Sequence, residues 1–392
     1  MLWLLFYWRF EKEKGFDQLI QSIKELNKRK VDFEIFIFGK GSLEHELLEV
    51  HDKNVHYFWW KPLDEIKKYL PNIDYCLMPS EFLETFWLSA LNALSWWVPV
   101  IWYKKWWLEP FIFHECDLFL AEWNSTSEKI VSIVEKLSKK TNPEMISDKK
   151  AFELKIKNLL KDYTEDARYQ RFLKLSGFKD NQNKKILIVS DFVNKAWWIE
   201  TYIHDVKNLL ETHWFDVILW WWILPRWFVW KWKKRIWLIL FPFNIRSGNK
   251  IKKVLRDEKP DLIWFNSLLR WLWPNVVKFA YNWKNRESNQ TKIWMMYHDF
   301  WYFYSFPSEL YNLDDCKTPL TKENFLSSWK CKNIIMKLAI FFKYYWLLPL
   351  MNTLKKCVDL HLTPSECVTK IASESYNLNG NKCKSFPHFI QK

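Results

Sequence analysis

Glycine is scarce in this chain. It accounts for 6 of 392 residues, whereas glycine ordinarily makes up about 7% of a protein. Tryptophan is abundant, with 29 residues, and the two together come to about 9% of the chain, close to ordinary glycine plus a little tryptophan. Glycine is the residue that turns with positive φ favour. The composition therefore suggests that tryptophan occupies places where turns call for glycine.

The sequence also lacks the marks of secreted and membrane-spanning proteins. Its seven cysteines form no Cys-x-x-Cys pair, and an odd count without a disulfide framework indicates a reducing compartment. The first ten residues are too short and wrongly flanked for a signal peptide and predict a strand instead. The most apolar segment, 334–351, is interrupted by Lys337 and Lys343, which argues against a membrane span but leaves an interfacial helix open. We expect a cytoplasmic protein, with peripheral contact at the inner face of the membrane left open.

The net charge of +14 suggests anionic partners such as phosphorylated substrates, anionic lipid or nucleic acid. The basic residues are spread along the chain, so an ordinary solvated surface explains the charge equally well. A length of 392 residues predicts two domains.

Apolar strand patterns and helical patterns alternate twice along the chain. The first series spans 1–178, a polar linker covers 179–184, and the pattern restarts at the strand Lys185–Ser190 and continues through 185–392. Such alternation predicts an α/β protein with two Rossmann-like domains built on parallel sheets.

The stretch from Pro79 to Ile112 follows a predicted apolar strand, Tyr75–Met78, and has the order Pro-Ser, acidic loop, helix, strand. It resembles the donor-sugar signature of family 4 nucleotide-sugar glycosyltransferases, which have the GT-B fold. Glu84, Phe86 and Pro99-Val100 agree with that signature. Trp87 and Trp97 stand where the family has glycine, and Asn92 stands where it has a second glutamate.

The second half resembles the acceptor-side domain of the same family. Trp197-Trp198 stands where that domain has a Gly-Gly loop, and His298-Asp299 follows a strand, like the family's acceptor-side histidine. The resemblance thus implies a reversed order, with a donor-binding C-terminal-type domain at 1–178 and an acceptor-side N-terminal-type domain at 185–392. A gene spanning fragments of two neighbouring transferases and a circular permutant both explain that order.

The resemblance implies roles for several residues. Arg9 and Lys14 would bind the donor diphosphate, since a departing diphosphate needs positive charge, and Glu84 would contact donor-sugar hydroxyls. The Gly39-Lys40-Gly41 segment follows a strand and suits a phosphate or base loop. Asn92 would retain one hydrogen bond to the nucleotide but not the charge. The expected catalytic residues are Arg9, Lys14, Glu84 and His298, and the expected donor-binding positions are Gly39, Gly41, Phe86, Trp87, Asn92, Trp106, Trp107, Trp197 and Trp198.

The expected activity is that of a retaining glycosyltransferase that moves a sugar from a UDP- or GDP-linked donor to a glycan or lipid-linked acceptor in bacterial polysaccharide synthesis. The alternative is a non-catalytic fusion of fragments that keeps only nucleotide-sugar binding. The sequence has no Asp-x-Asp motif, and we expect no metal, no further cofactor and no nucleic-acid partner.

Tryptophan replaces the family's glycine repeatedly, at positions 8, 87, 97, 106, 107, 197, 198 and 214, and Trp59 ends a strand where glycine is expected. We therefore expect that a UGA codon, translated here as tryptophan, specifies glycine in the source organism. The alternative is a protein rich in genuine tryptophan that binds carbohydrate or single-stranded nucleic acid by stacking.

Overall fold

The computed structural model describes residues 1–47, 49–50, 52–80, 88–103, 119–120, 126–140, 142–180, 182–190, 198–221, 245–266, 268, 275–288, 290–298, 302–303 and 351–390. The chain divides into two compact units. Unit 1 is built from Met1–Thr164 and Phe389–Lys392, and unit 2 mainly from Glu165–Pro307 and Leu313–His388.

Unit 1 contains a six-stranded sheet in which every neighbouring pair is parallel. In space the strands are ordered β3-β2-β1-β4-β5-β6. The strands are β1 Leu2–Tyr7, β2 Phe33–Phe38, β3 Val55–Tyr57, β4 Tyr75–Met78, β5 Val100–Tyr103 and β6 Phe119–Leu120. The helices described in this unit are α1 Phe16–Lys28, α2 Glu44–Leu47, α3 Leu63–Lys67, α4 Leu88–Ser95, α5 Thr126–Ser138 and α6 Asn142–Leu160.

The sheet of unit 1 is covered on both faces, because successive side chains of a strand point to opposite sides. In β1, Leu4 and Phe6 belong to a buried cluster with residues of α1 and α5. Leu5 and Tyr7 belong to a second cluster, with residues of α4 and α6. Burial on both faces explains why these strands are continuous apolar runs.

Unit 2 repeats this architecture with the parallel order β12-β11-β10-β9-β7-β8. Its strands are β7 Lys185–Ser190, β8 Asp216–Trp221, β9 Leu262–Asn266, β10 Lys292–Met296, β11 Leu360–Thr363 and β12 Cys383–Ser385. The helices described are α7 Glu165–Ser176, α8 Trp198–Thr212, α9 Ile245–Glu258, α10 Asn275–Glu287 and α11 Glu366–Tyr376. The predicted α/β class with two parallel sheets is confirmed.

Helix α7 packs on unit 2, although the sequence division at residue 178 placed it in the first domain. Its Phe172 ring lies 5.4 Å from Phe215, 6.3 Å from Trp264 and 5.6 Å from Trp294, measured between ring centroids. The structural division therefore falls between Thr164 and Glu165. Periodicity shows that a helix has an apolar face but not which sheet that face covers.

The chain passes between the units after Thr164 and again after His388. On the unit 1 side the Ile390 backbone N–H donates to the Tyr163 carbonyl over 2.9 Å. On the unit 2 side the Arg168 guanidinium donates to the His388 carbonyl over 3.5 Å. The two passages are thus hydrogen-bonded to each other within each unit.

Within the described ranges, no helix is both long enough and apolar enough to span a bilayer. The apolar segment 334–351, the basis for an interfacial helix, lies almost wholly outside those ranges.

Candidate functional site

Ligands of open parallel sheets bind beyond the carboxyl ends of the strands, where the strand order reverses direction. In unit 1 the reversal lies between β1 and β4, and in unit 2 between β7 and β9. Residues that follow these strands are therefore the first candidates for a site.

Arg9 and Lys14 lie in the segment that follows β1. Arg9 is exposed, and its guanidinium lies 3.5 Å from the Glu13 carboxylate. Lys14 ends a short 3₁₀ turn, Lys12–Lys14, and is only 4% exposed. Its Nζ lies 5.3 Å from the centroid of the Trp8 ring, within reach of a cation–π interaction. The two predicted phosphate-binding cations are thus near the switch point of the first sheet, one open and one covered.

Gly15 brings this segment against the end of β4. Its φ is 68°, and a Cβ there would lie 1.9 Å from the Pro79 carbonyl oxygen. The Ser80 hydroxyl donates to the Glu13 carbonyl over 3.2 Å. The loops after β1 and β4 therefore hold each other at the switch point, and only glycine permits so close an approach.

Gly39 and Gly41, after β2, pack against the same segment. A Cβ on Gly39 would lie 1.9 Å from the Trp8 carbonyl oxygen, and one on Gly41 would lie 2.3 Å from the Phe10 carbonyl oxygen. The Phe10 N–H donates to the Lys40 carbonyl over 3.1 Å. Both glycines are thus required by contact between the β1 and β2 loops, and their role toward a ligand stays a prediction.

Asn92 lies on α4 and is buried, and its carbonyl accepts a hydrogen bond from the Ser95 hydroxyl over 2.7 Å. Trp198 begins α8. The other predicted positions lie outside the described residues: Glu84, Phe86, Trp87, Trp106, Trp107 and Trp197.

In unit 2, His298 follows β10 and is fully buried. Its Nε2 lies 3.1 Å from the Oδ1 of Asn266, the last residue of β9. Burial lowers the pKa of His298 to about 3, so the imidazole is neutral at physiological pH. A neutral imidazole that donates through Nε2 keeps Nδ1 as an acceptor.

His298 belongs to an aromatic cluster that the sequence did not reveal. Tyr202 of α8 packs edge-on against His298 at 5.0 Å and against His388 at 4.4 Å, between ring centroids. Burial, together with His298 and Arg168, lowers the pKa of His388. Arg168 of α7 is buried, with its guanidinium 4.7 Å from the Phe386 ring. In the sequence, His388 appears only as a single histidine after a short strand, and nothing in that pattern indicates its contacts with Tyr202 and His298.

In the part of the chain that the structure describes, no three His, Cys, Asp or Glu side chains are grouped so as to hold a metal ion.

The chain was compared with known proteins. The family model described as glycosyl transferases group 1 matches residues 2–149, which lie in unit 1 and make up less than half of the chain. A Klebsiella pneumoniae protein, described as an uncharacterized 41.2 kDa protein in cps region, is 37% identical over 99 residues. The aligned part is 25% of this chain and 26% of that relative.

Solved structures resemble part of the chain. The pneumococcal O-GlcNAc transferase GtfA, crystallised with UDP and GlcNAc, has a TM-score of 0.35 at 18% identity, covering 40% of this chain and 32% of that one. The C-terminal domain of the glycosyl transferase group 1 family protein LpcC from Francisella tularensis has a TM-score of 0.31 at 22% identity, covering 40% and 81%.

Proposed function

We propose that this protein is a glycosyltransferase that takes a sugar from a nucleotide-sugar donor, and that unit 1 holds the donor. The observation that carries the proposal is a coincidence of two findings. The family match covers residues 2–149, and the predicted phosphate-binding residues Arg9 and Lys14 lie at the switch point of the sheet within that range.

The chemistry of this edge suits a diphosphate leaving group. An exposed guanidinium can pair with two phosphate oxygens at once, and charge develops on the diphosphate as the glycosidic bond breaks. Arg9 is already paired at 3.5 Å with Glu13, so binding a diphosphate would exchange a solvated carboxylate partner for a phosphate.

The finer features of the proposal are a UDP- or GDP-linked donor, retention at the anomeric carbon and a glycan or lipid-linked acceptor. A polysaccharide role is supported by the relative described as lying in a cps region. In unit 2, neutral His298 would orient a sugar hydroxyl through a hydrogen bond without introducing charge. The reversed domain order and the assignment of unit 2 to the acceptor belong to the same proposal.

The test is calorimetric titration of the full chain with UDP and with GDP. Arg9→Ala is expected to weaken binding by about 1.5–3 kcal/mol, the size of a hydrogen bond to a charged group. Arg29→Ala is the matched control, because Arg29 directly follows α1 and is likewise an exposed arginine paired with carboxylates, those of Glu25 and Glu135. Absence of binding by either nucleotide would contradict the proposal.

A second measurement separates transfer from binding alone. Release of nucleotide from a UDP- or GDP-sugar, with the anomeric configuration of the product followed by NMR, should require both Glu84 and His298. Nucleotide binding without release or transfer would instead favour the non-catalytic fusion of fragments.

A further inference from the structure

Tryptophan occupies left-handed backbone positions in this protein. Six residues other than glycine have positive φ in the described ranges, and three of them are Trp59 at 58°, Trp97 at 61° and Trp214 at 65°. This conformation brings Cβ too close to the following carbonyl and is an outlier for a bulky side chain.

Two of these tryptophans directly follow the ends of helices. There they take part in a hydrogen-bond pattern in which the left-handed residue is usually glycine. After α4 the Trp97 N–H donates to the Leu94 carbonyl, and the next N–H donates to Ala93 over 3.1 Å. After α8 the same pattern joins Trp214 to Glu211 and the next N–H to Leu210 over 3.2 Å. This is the Schellman ending, whose left-handed residue is usually glycine.

Packing does not account for tryptophan at positions 59 and 214, whereas Trp97 packs in part against the buried cluster that includes residues of α4. The Trp214 side chain is 73% exposed and that of Trp59 is 52% exposed. Elsewhere the chain uses small or polar residues at helix ends of this kind, as at Gly177 and Asn377. By contrast, Trp264 and Trp294 are buried in strands of unit 2, where an aromatic ring has a packing role.

We propose that the protein made in its source carries glycine at positions 59, 97 and 214, because a codon translated here as tryptophan specifies glycine there. The positive φ at these three positions adds a backbone argument to the composition and the family resemblance.

Mass spectrometry of peptides from the protein purified from its source tests this directly. Glycine is expected at 59, 97 and 214, and tryptophan at 264 and 294. Tryptophan at any of the first three positions would overturn the proposal for that turn.

Thermal unfolding of the full chain with tryptophan at these positions gives a second test, in which a neighbouring residue serves as the matched control. Trp97→Gly is expected to raise the melting temperature by about 2–4 °C, because glycine relieves the positive φ. Trp96→Gly, one residue earlier and without a positive φ, is expected to lower it through the entropy cost of glycine. Equal effects of the two substitutions would overturn the structural argument, and the pair Trp59→Gly and Trp60→Gly repeats the comparison at two neighbouring exposed tryptophans, of which only Trp59 has positive φ.

A separate observation concerns position 8. Lys14 is 4% exposed, its Nζ lies 5.3 Å from the Trp8 ring, and both residues follow β1 at the switch point. The geometry points to Trp8 as the residue that closes the anion site of unit 1. This inference rests on the proposed function of that edge: a small residue at position 8 would uncover the ammonium toward a nucleoside diphosphate.

The test compares Trp8→Gly with Trp60→Gly in the full chain. Trp60 is a suitable control, since Lys40 lies 5.9 Å from its ring but the indole is exposed. Trp8→Gly is expected to bind UDP at least ~10-fold more tightly, the effect of one recovered charge-assisted contact, and to lose this gain when combined with Lys14→Gln. Trp60→Gly is expected to bind as the parent does.

Labelling of Lys14 by an amine-reactive reagent supplies a readout that needs no nucleotide. It should be slow in the parent and faster in Trp8→Gly, and Trp8→Ala serves if the glycine variant is unstable. Unchanged labelling would overturn the inference, as would faster labelling without tighter UDP binding. Arg9-dependent UDP binding by the parent, with no gain in Trp8→Gly, would remove this inference while leaving the proposed function intact.

Discussion

The two units share one architecture but present different chemistry at the carboxyl edges of their sheets. Unit 1 places an exposed guanidinium, Arg9, and a covered ammonium, Lys14, around its switch point. Unit 2 places a buried, neutral imidazole, His298, against Asn266. Charge at the first edge suits phosphate, whereas neutral donors and acceptors at the second suit hydroxyl groups. Under the proposed function, the same scaffold would serve two kinds of recognition, and the residues that follow the strands would make the difference.

The substitution with the largest expected loss of stability tests whether α7 belongs to unit 2. Phe172→Ala should cost about 3–5 kcal/mol, because it removes a buried ring from an aromatic cluster. Hydrogen exchange should show faster exchange in β9 and β10, with β1 and β2 unchanged. Phe16→Ala in unit 1, where Phe16 stacks on Phe10 at 4.2 Å, should produce the opposite pattern. Loss of protection in unit 1 for the Phe172 variant would contradict the division at Thr164.

Acid should destabilise unit 2 more than unit 1. Burial lowers the pKa of His298 and of His361 to about 3, whereas the unfolded chain binds these protons near pH 6.5. The unfolded state therefore holds more protons between about pH 6.5 and 3, and stability falls as the pH falls through that window. At pH 5.5 the two histidines together should cost about 3 kcal/mol.

Hydrogen exchange measured separately for the amides of each unit, at pH 7.5 and at pH 5.5, checks this expectation. A matched variant, His361→Gln, should reduce the acid sensitivity of unit 2. Equal loss of stability in both units would show that the buried histidines do not dominate.

The smallest expected effect is a difference of about 1–3 kcal/mol between two glycine variants, which separates steric crowding from backbone conformation. Gly15 and Gly177 have φ of 68° and 65°. A Cβ at Gly177 would meet only the Lys292 Nζ, at 3.3 Å, whereas one at Gly15 would meet the Pro79 carbonyl. Gly177→Ala should cost about 1–2 kcal/mol from φ alone, and Gly15→Ala about 1–3 kcal/mol more from overpacking. Urea unfolding of both variants measures the difference, and equal costs would argue against close contact between the β1 and β4 loops.

Much of the fold was predictable, because strands buried on both faces are continuous apolar runs that stand out in the sequence. The predicted strands Tyr75–Met78 and Lys185–Ser190 have the same bounds in the structure. The start of helix α6 could not be predicted, because the helix begins at Asn142, within a polar stretch of the sequence. Only a few of its residues, such as Phe152 and Ile156, are buried in the core, so its first turns carry no apolar pattern.

The site was predictable in part. Arg9 and Lys14 follow a strand and lie at a switch point, which sequence order alone can suggest. The covering of Lys14 by Trp8 could not be predicted, since it depends on the direction of two side chains. The cluster of Tyr202, His298 and His388 joins segments almost 190 residues apart, and no local pattern encodes such a contact.

The paired passages between the units have a topological consequence. Cleavage of the backbone at Thr164 would separate the polypeptide into two pieces, yet the hydrogen bond between Ile390 and Tyr163 would still tie the second piece to unit 1. The same cut leaves Arg168 bonded to the carbonyl of His388 on the other side. The nicked protein should therefore run as one particle in gel filtration while giving two bands in denaturing electrophoresis.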